Sequence, residues 1–82
     1  MKALVYRRAA IKALKRMPAK DCTAIREKLS AFAEGRRGEL DVKPLKGSSY
    51  LRLRHGDWRA VVEEGADRVE VVVIAHRREV YR

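Results

Sequence analysis

The stretch "YLRLRHGDWRAVVEEGADRVEVVVIA", residues 50–75, constrains the fold of this chain more than any other. Its first segment, "YLRLRH" (50–55), alternates with period two. Leu51 and Leu53 fall on one face of a strand, and Tyr50, Arg52 and Arg54 on the other. "GD" (56–57) is a turn signal, in the order Gly-Asp rather than the stronger Asp-Gly. "WRAVVEE" (58–64) reads as a second strand, "GADR" (65–68) as a second turn, and "VEVVVIA" (69–75) as a third strand. Connections this short can only join antiparallel neighbours, so the three strands form a meander. The last is the most apolar and belongs inside the sheet.

The preceding half reads differently. "KALVYR" (2–7) is rich in β-formers and predicts an opening strand. "RAAIKALKRM" (8–17) carries Ala10, Ile11, Leu14 and Met17 at helical spacing, with Lys12, Lys15 and Arg16 on the other side. Pro18 breaks this helix and can open the next. In "AKDCTAIREKLSAFAEG" (19–35), Cys22, Ile25, Leu29, Phe32 and Ala33 share one stripe, and Gly35 is a stop signal. "RRGELDVKPLKGSS" (36–49) has no period and reads as a loop. The order β-α-α-β-β-β predicts an α+β fold. A helical hairpin packs on one face of a mainly antiparallel four-stranded sheet, in a single domain over residues 1–82.

Composition narrows the function. Twenty Lys and Arg oppose 11 Asp and Glu among 82 residues, a net charge of +9. That predicts attraction to a polyanion: RNA, DNA, an anionic membrane or an acidic protein. With 46% hydrophobic residues a packed core is expected. The lone Cys22 excludes an intramolecular disulfide and reads as a small core residue. No apolar stretch approaches the roughly 20 residues of a membrane span, and "ALVY" is too short for a signal peptide's apolar region, so a cytoplasmic protein is expected.

The pleat directs the leucines of 50–55 toward the helices and leaves Arg52 and Arg54 on the uncovered face. In a meander, Arg59 at the start of the next strand and Arg77 after the last come to the same place, with Tyr81 close by. Guanidiniums so grouped repel one another, yet each can fork onto phosphate oxygens. His76 and Tyr81 can carry protons. Such a site needs no metal and no cofactor: the 2′-hydroxyl of RNA is the nucleophile, arginines stabilise the added charge, and His or Tyr protonates the leaving oxygen. His55 reads as an exposed turn residue. Trp58 can pack in the core or stack on a base.

The opening strand, the helical hairpin with "LKRMP", the "KPLKG" loop, the "YLRLRHGDWRAVVEE" hairpin and the closing "VVVIAHRREVYR" together resemble the RelE/ParE superfamily of toxins from type II toxin–antitoxin pairs. Within it the chain looks more like the RelE branch, whose members cut mRNA in the ribosomal A site. That resemblance implies a metal-independent endoribonuclease that inhibits translation. Arg59 and Arg77 would stabilise the scissile phosphate, and Tyr81 would orient the base and 2′-hydroxyl. Arg52 and Arg54 stand where the best-known members have lysines. Because an arginine effectively cannot give up its proton, these two would bind RNA, and His76 becomes the better proton carrier. Arg78 is a rival for the role of Arg77. Arg78, Arg82 and Lys46 would add contacts to RNA. The implied partners are a cognate antitoxin and ribosome-bound mRNA, with the free toxin a monomer. The alternatives are a ParE-like inhibitor of DNA gyrase that cuts nothing, and a basic RNA-binding module without activity.

Overall fold

The computed structural model describes residues 2–77. Along them run β1 (Ala3–Tyr6), α1 (Arg8–Arg16), α2 (Ala19–Ala33), β2 (Asp41–Pro44), β3 (Tyr50–His55), β4 (Trp58–Glu64) and β5 (Arg68–His76). The strands form one sheet in the order β1-β5-β4-β3-β2. β1 runs parallel to β5, and every other pair is antiparallel. The α+β reading and the helical hairpin therefore hold, and β5 is interior. The sheet has five strands rather than four, because residues 41–44, expected to be loop, pair with β3. "DVKP" carries little strand propensity of its own. It is an edge strand whose ladder β3 supplies, and its proline is tolerated there.

Each turn has a local cause. Met17 is extended (φ −81°, ψ 157°), the conformation a following proline imposes, and this ends α1. Pro18 is the N-cap of α2 rather than its first helical residue, and Asp21 places a negative charge in the first turn. At the other end Gly35 takes φ +87°. The Arg36 N–H donates to the Ala31 carbonyl (2.9 Å) and the Gly35 N–H to that of Phe32 (3.1 Å), a complete Schellman motif. Between β3 and β4, Gly56 has φ +57° while Asp57 is not left-handed. Gly-Asp is thus the right order, since a type II′ hairpin needs its glycine first.

The core lies between hairpin and sheet. Ile25, Leu29 and Phe32 of α2 are fully buried against Leu53, Ala60, Val62, Val69 and Val71. From α1, Ala10 and Met17 are buried, with Ala13 and Leu14 packed beside them. Ile11, expected on that stripe, is 42% exposed: it lies about 100° around the helix from Ala10. Cys22 is half-buried against the core.

One irregularity decides which side chains reach which face. Val61 pairs with Val73, but Val62 pairs with Val71, so Val72 is an extra residue in β5. This bulge lets Val71 and Ile74, three apart, both face the helices. Beyond it, Ala75 lies opposite Arg59 on the uncovered face, and His76 lies opposite Trp58 on the helix face. Uninterrupted alternation from Val71 would have reversed these two.

Candidate nucleic-acid interface

The uncovered face gathers basic residues toward the β3–β4 turn. Arg54 is directly opposite Arg59 on one side and Asp41 on the other. In the next row Arg52 lies between Val61 and Lys43. Opposed like charges in a sheet are destabilising, so Arg54 facing Arg59 needs a compensating anion. Asp41 is that anion on the β2 side. Its Oδ1 accepts from Arg52 Nη2 at 3.3 Å, and its Oδ2 lies 3.6 Å from Arg54 Nε. Arg52 is the more enclosed of the pair, with 16% of its side chain exposed against 43% for Arg54.

Arg77 follows β5 directly, where the chain leaves the strand, and its N–H donates to the Asp57 carbonyl at 2.6 Å. Its guanidinium is mostly exposed and lies 3.7 Å from the Asp57 carboxylate. The structure thus brings Arg52, Arg54 and Arg59 to one end of the uncovered face, with Asp41 between the first two, and sets Arg77 beside Asp57 at the adjoining β3–β4 turn. Lys46 is exposed in the β2–β3 loop, beyond the other end of β3. Arg78, Tyr81 and Arg82 lie outside the described residues.

His76 is on the other side of the sheet. Its ring meets Trp58 edge to face, with centroids 5.1 Å apart and planes at 87°. Trp58 packs against the core, as its strand position allowed. His55 completes this helix-facing row, pairing across β3–β4 with Trp58. It is half-buried rather than exposed, and its Nε2 lies 3.5 Å from Asp21 at the start of α2. Among the described residues, no three His, Cys, Asp or Glu side chains converge as metal ligands would.

The far end of the uncovered face is electrically closed. Arg7, between β1 and α1, donates to Glu70 (3.0 Å) and Glu63 (3.2 Å). The hydrogen bond to Glu70 raises its pKa further above the ordinary arginine value. The carboxylates of that end are therefore held by Arg7, with Arg68 sharing Glu70 at 3.4 Å. Glu64 points to the helix face, where Lys2 (2.7 Å) and Arg37 hold it and Arg37 also stacks over Phe32. Those two cations hold its carboxyl at about 2.

Sequence reasoning missed Asp41, which sits in a segment read as loop. The one available signal was short: in "DVKP" a lone apolar Val42 stands between polar neighbours. A separate open cleft of about 510 Å3 lies along α2, lined by Thr23, Arg26, Glu27, Ser30, Ala31 and Arg36. It is part of α2 and its C-terminal turn, not of the arginine face.

Residues 4–81 match the family described as the ParE toxin of the type II toxin–antitoxin system parDE. No curated protein matches the sequence. Among solved structures, the chain is similar to a RelB–RelE antitoxin–toxin complex from Methanococcus jannaschii, at 24% identity and TM-score 0.82, covering 94% of each chain. It is also similar to a RelE–RelB complex from Pyrococcus horikoshii OT3, at 19% identity and TM-score 0.78, covering 93% of this chain and 94% of that one. A toxin–antitoxin complex from Mycobacterium tuberculosis aligns at 14% identity and TM-score 0.75, over 93% and 98%. At these identities the structures speak for the fold, and the family match, which spans nearly the whole chain, carries the assignment: the chain belongs to the ParE toxin family of type II toxin–antitoxin systems.

Proposed function

We propose that this toxin is an endoribonuclease of the RelE type, acting on mRNA in the ribosomal A site in the cytoplasm. The observation that carries the reading is the row in which Arg54 faces Arg59 across the hairpin, with Arg52 and Arg77 beside it. Guanidiniums grouped in this way can each fork onto the oxygens of a phosphate laid across the face. In the reaction the 2′-oxygen bonds to the adjacent phosphorus, the P–O5′ bond breaks, and a 2′,3′-cyclic phosphate and a 5′-hydroxyl result. The 2′-hydroxyl loses a proton and the 5′-oxygen gains one. Arg59 and Arg77 stabilise the charge that builds on the non-bridging oxygens. Arg52 and Arg54 hold the strand, with Lys46, Arg78 and Arg82 as outer contacts. Proton transfer falls to His76 and Tyr81. Of the two, His76 starts on the helix face with its ring against Trp58 and would have to leave that contact to reach the phosphate, so Tyr81 carries the larger share. The similar solved structures are complexes with antitoxins, which supports a cognate antitoxin as the neutralising partner.

The family match supports a second reading, because it bears the ParE name: inhibition of DNA gyrase without cleavage of RNA. Expression from a tightly controlled promoter, with 5′ ends of cellular mRNA mapped during growth arrest, separates the two. Cuts between the second and third positions of translated codons are expected. Intact mRNA with stalled replication and an SOS response would overturn the nuclease in favour of the gyrase reading.

A further inference from the structure

Asp41 occupies a peculiar place on a surface built for anions. It stands on the edge strand β2, directly opposite Arg54, and one carboxylate spans two guanidiniums, Arg52 at 3.3 Å and Arg54 at 3.6 Å. Both contacts are longer than the 2.7–2.9 Å of a good charge-assisted hydrogen bond. The Nε of Arg52 is buried and has no hydrogen-bond partner among the described residues, so Asp41 satisfies that guanidinium only in part. With 43% of its side chain exposed, Asp41 can also swing away into water at little cost. A carboxylate held loosely between two arginines, one oxygen toward each, has the charge sign of a backbone phosphate and turns its oxygens to the same guanidiniums a phosphate would use.

We infer that Asp41 is a tethered competitor of the RNA phosphate: it holds Arg52 and Arg54 together in the free toxin and must be displaced when RNA binds. It is a positioning and affinity-setting residue rather than a catalytic one. It keeps two like charges aligned for the next anion and subtracts its own attraction from that anion's binding. The inference rests on the reading that this face takes RNA. It does not need the RNA to be cut.

The test uses a single-stranded oligonucleotide with every 2′-hydroxyl methylated, which can bind but cannot be cleaved through that oxygen. Its affinity is measured against salt for the wild type and for Asp41→Asn, Asp41→Glu, Asp67→Asn, Arg52→Ala and Arg54→Ala, each first shown folded by circular dichroism. Asp67→Asn is the charge control, because it also removes one negative charge, but from the β4–β5 turn at the other end of the sheet. Asp41→Asn should tighten binding about 5-fold at low salt and steepen the slope of log K against log[salt] by about 0.7, the value of one more neutralised phosphate on a single strand. Asp41→Glu, which restores the charge, should return both to near wild type. Asp67→Asn should shift affinity less than 2-fold. If Asp41→Asn binds no better than Asp67→Asn while Arg52→Ala and Arg54→Ala weaken binding, the face takes RNA and the inference about Asp41 is wrong. If neither arginine variant changes binding, the RNA face itself is wrong and the inference falls with it. Tightening by Asp41→Asn beside failure to cut an unmodified RNA would uphold Asp41 and remove only the nuclease reading.

Discussion

At the scale of single residues, the two faces of the β3–β4–β5 meander separate charge from packing, and substitutions on them should behave oppositely. Arg59 lies on the uncovered face beside Arg54, and Arg77 is mostly exposed beyond β5. Arg59→Ala and Arg77→Ala should each lower RNA cleavage about 100-fold or more, the usual loss when one donor to a developing charge is removed. The thermal midpoint of Arg77→Ala should stay close to wild type, because surface changes seldom exceed about 0.5 kcal/mol, and half-buried Arg59→Ala should cost no more than about 1 kcal/mol. Cleavage in a translation extract, read beside a melting curve, checks both. A variant that loses activity only by unfolding would contradict the placement. Trp58 should show the reverse. Its ring packs on the core and against His76, so Trp58→Ala should cost about 2–3 kcal/mol in urea unfolding. Trp58→Phe should recover part of that. Affinity for a non-cleavable RNA should be unchanged in the folded fraction, because the ring is on the side away from the arginines. A loss of affinity in a stable Trp58→Phe would instead mark the ring as a base-stacking platform.

At the scale of elements, helix ends and strand registers obey local rules that can be tested one glycine at a time. Gly35 closes α2 at φ +87°, in the left-handed region that costs a side chain roughly 1 kcal/mol. Gly38, three residues on, has no positive φ and open space where a Cβ would go. Gly35→Ala should therefore lower stability by about 1 kcal/mol, and Gly38→Ala should leave it within about 0.5 kcal/mol. Equal effects in urea titrations would refute the role given to the Schellman motif. The same contrast explains what could be read from the sequence. Both helices and the meander were legible, because Pro18, Gly35 and the Leu51/Leu53 alternation are strong local signals. β2 was not, because an edge strand of Asp, Val, Lys and Pro exists only through its pairing with β3. Asp41 was lost with it, so the arginine face looked less neutralised by carboxylates than it is. The bulge at Val72 was also hidden. In a run of three valines any register looks alike, yet that register places Ala75 with the arginines and sets His76 against Trp58. Tyr81, which the resemblance implied would orient the base, lies outside the described residues.

At the scale of the whole molecule, a chain of net charge +9 needs its few carboxylates where they join distant parts. Glu64 on β4 is the clearest case. It accepts from Lys2, just ahead of β1, and from Arg37, just past α2, so one side chain ties β4 to the start of the edge strand and to the end of the helical hairpin. The hydrogen bonds from Arg37 and then Lys2 outweigh the opposing effect of burial and lower its carboxyl from 4.5 to about 2. As acid is added, the unfolded chain takes up this proton first, near 4.5, while the folded chain resists until about 2. The contribution is therefore complete above about pH 5. It declines as pH falls through the interval between the two values and is gone below about pH 2. Because 23% of the side chain is exposed and solvent screens it, the share at neutral pH is roughly 1–2 kcal/mol rather than the full value of the shift. Glu64→Gln should lower the unfolding free energy by that amount at pH 7. The gap to wild type should narrow as pH is lowered below 4.5 and close near pH 2, and it should shrink in high salt. A gap that stays constant across that range would mean that the glutamate acts by shape and hydrogen bonding alone, and that its charge does not tie the hairpin to the sheet.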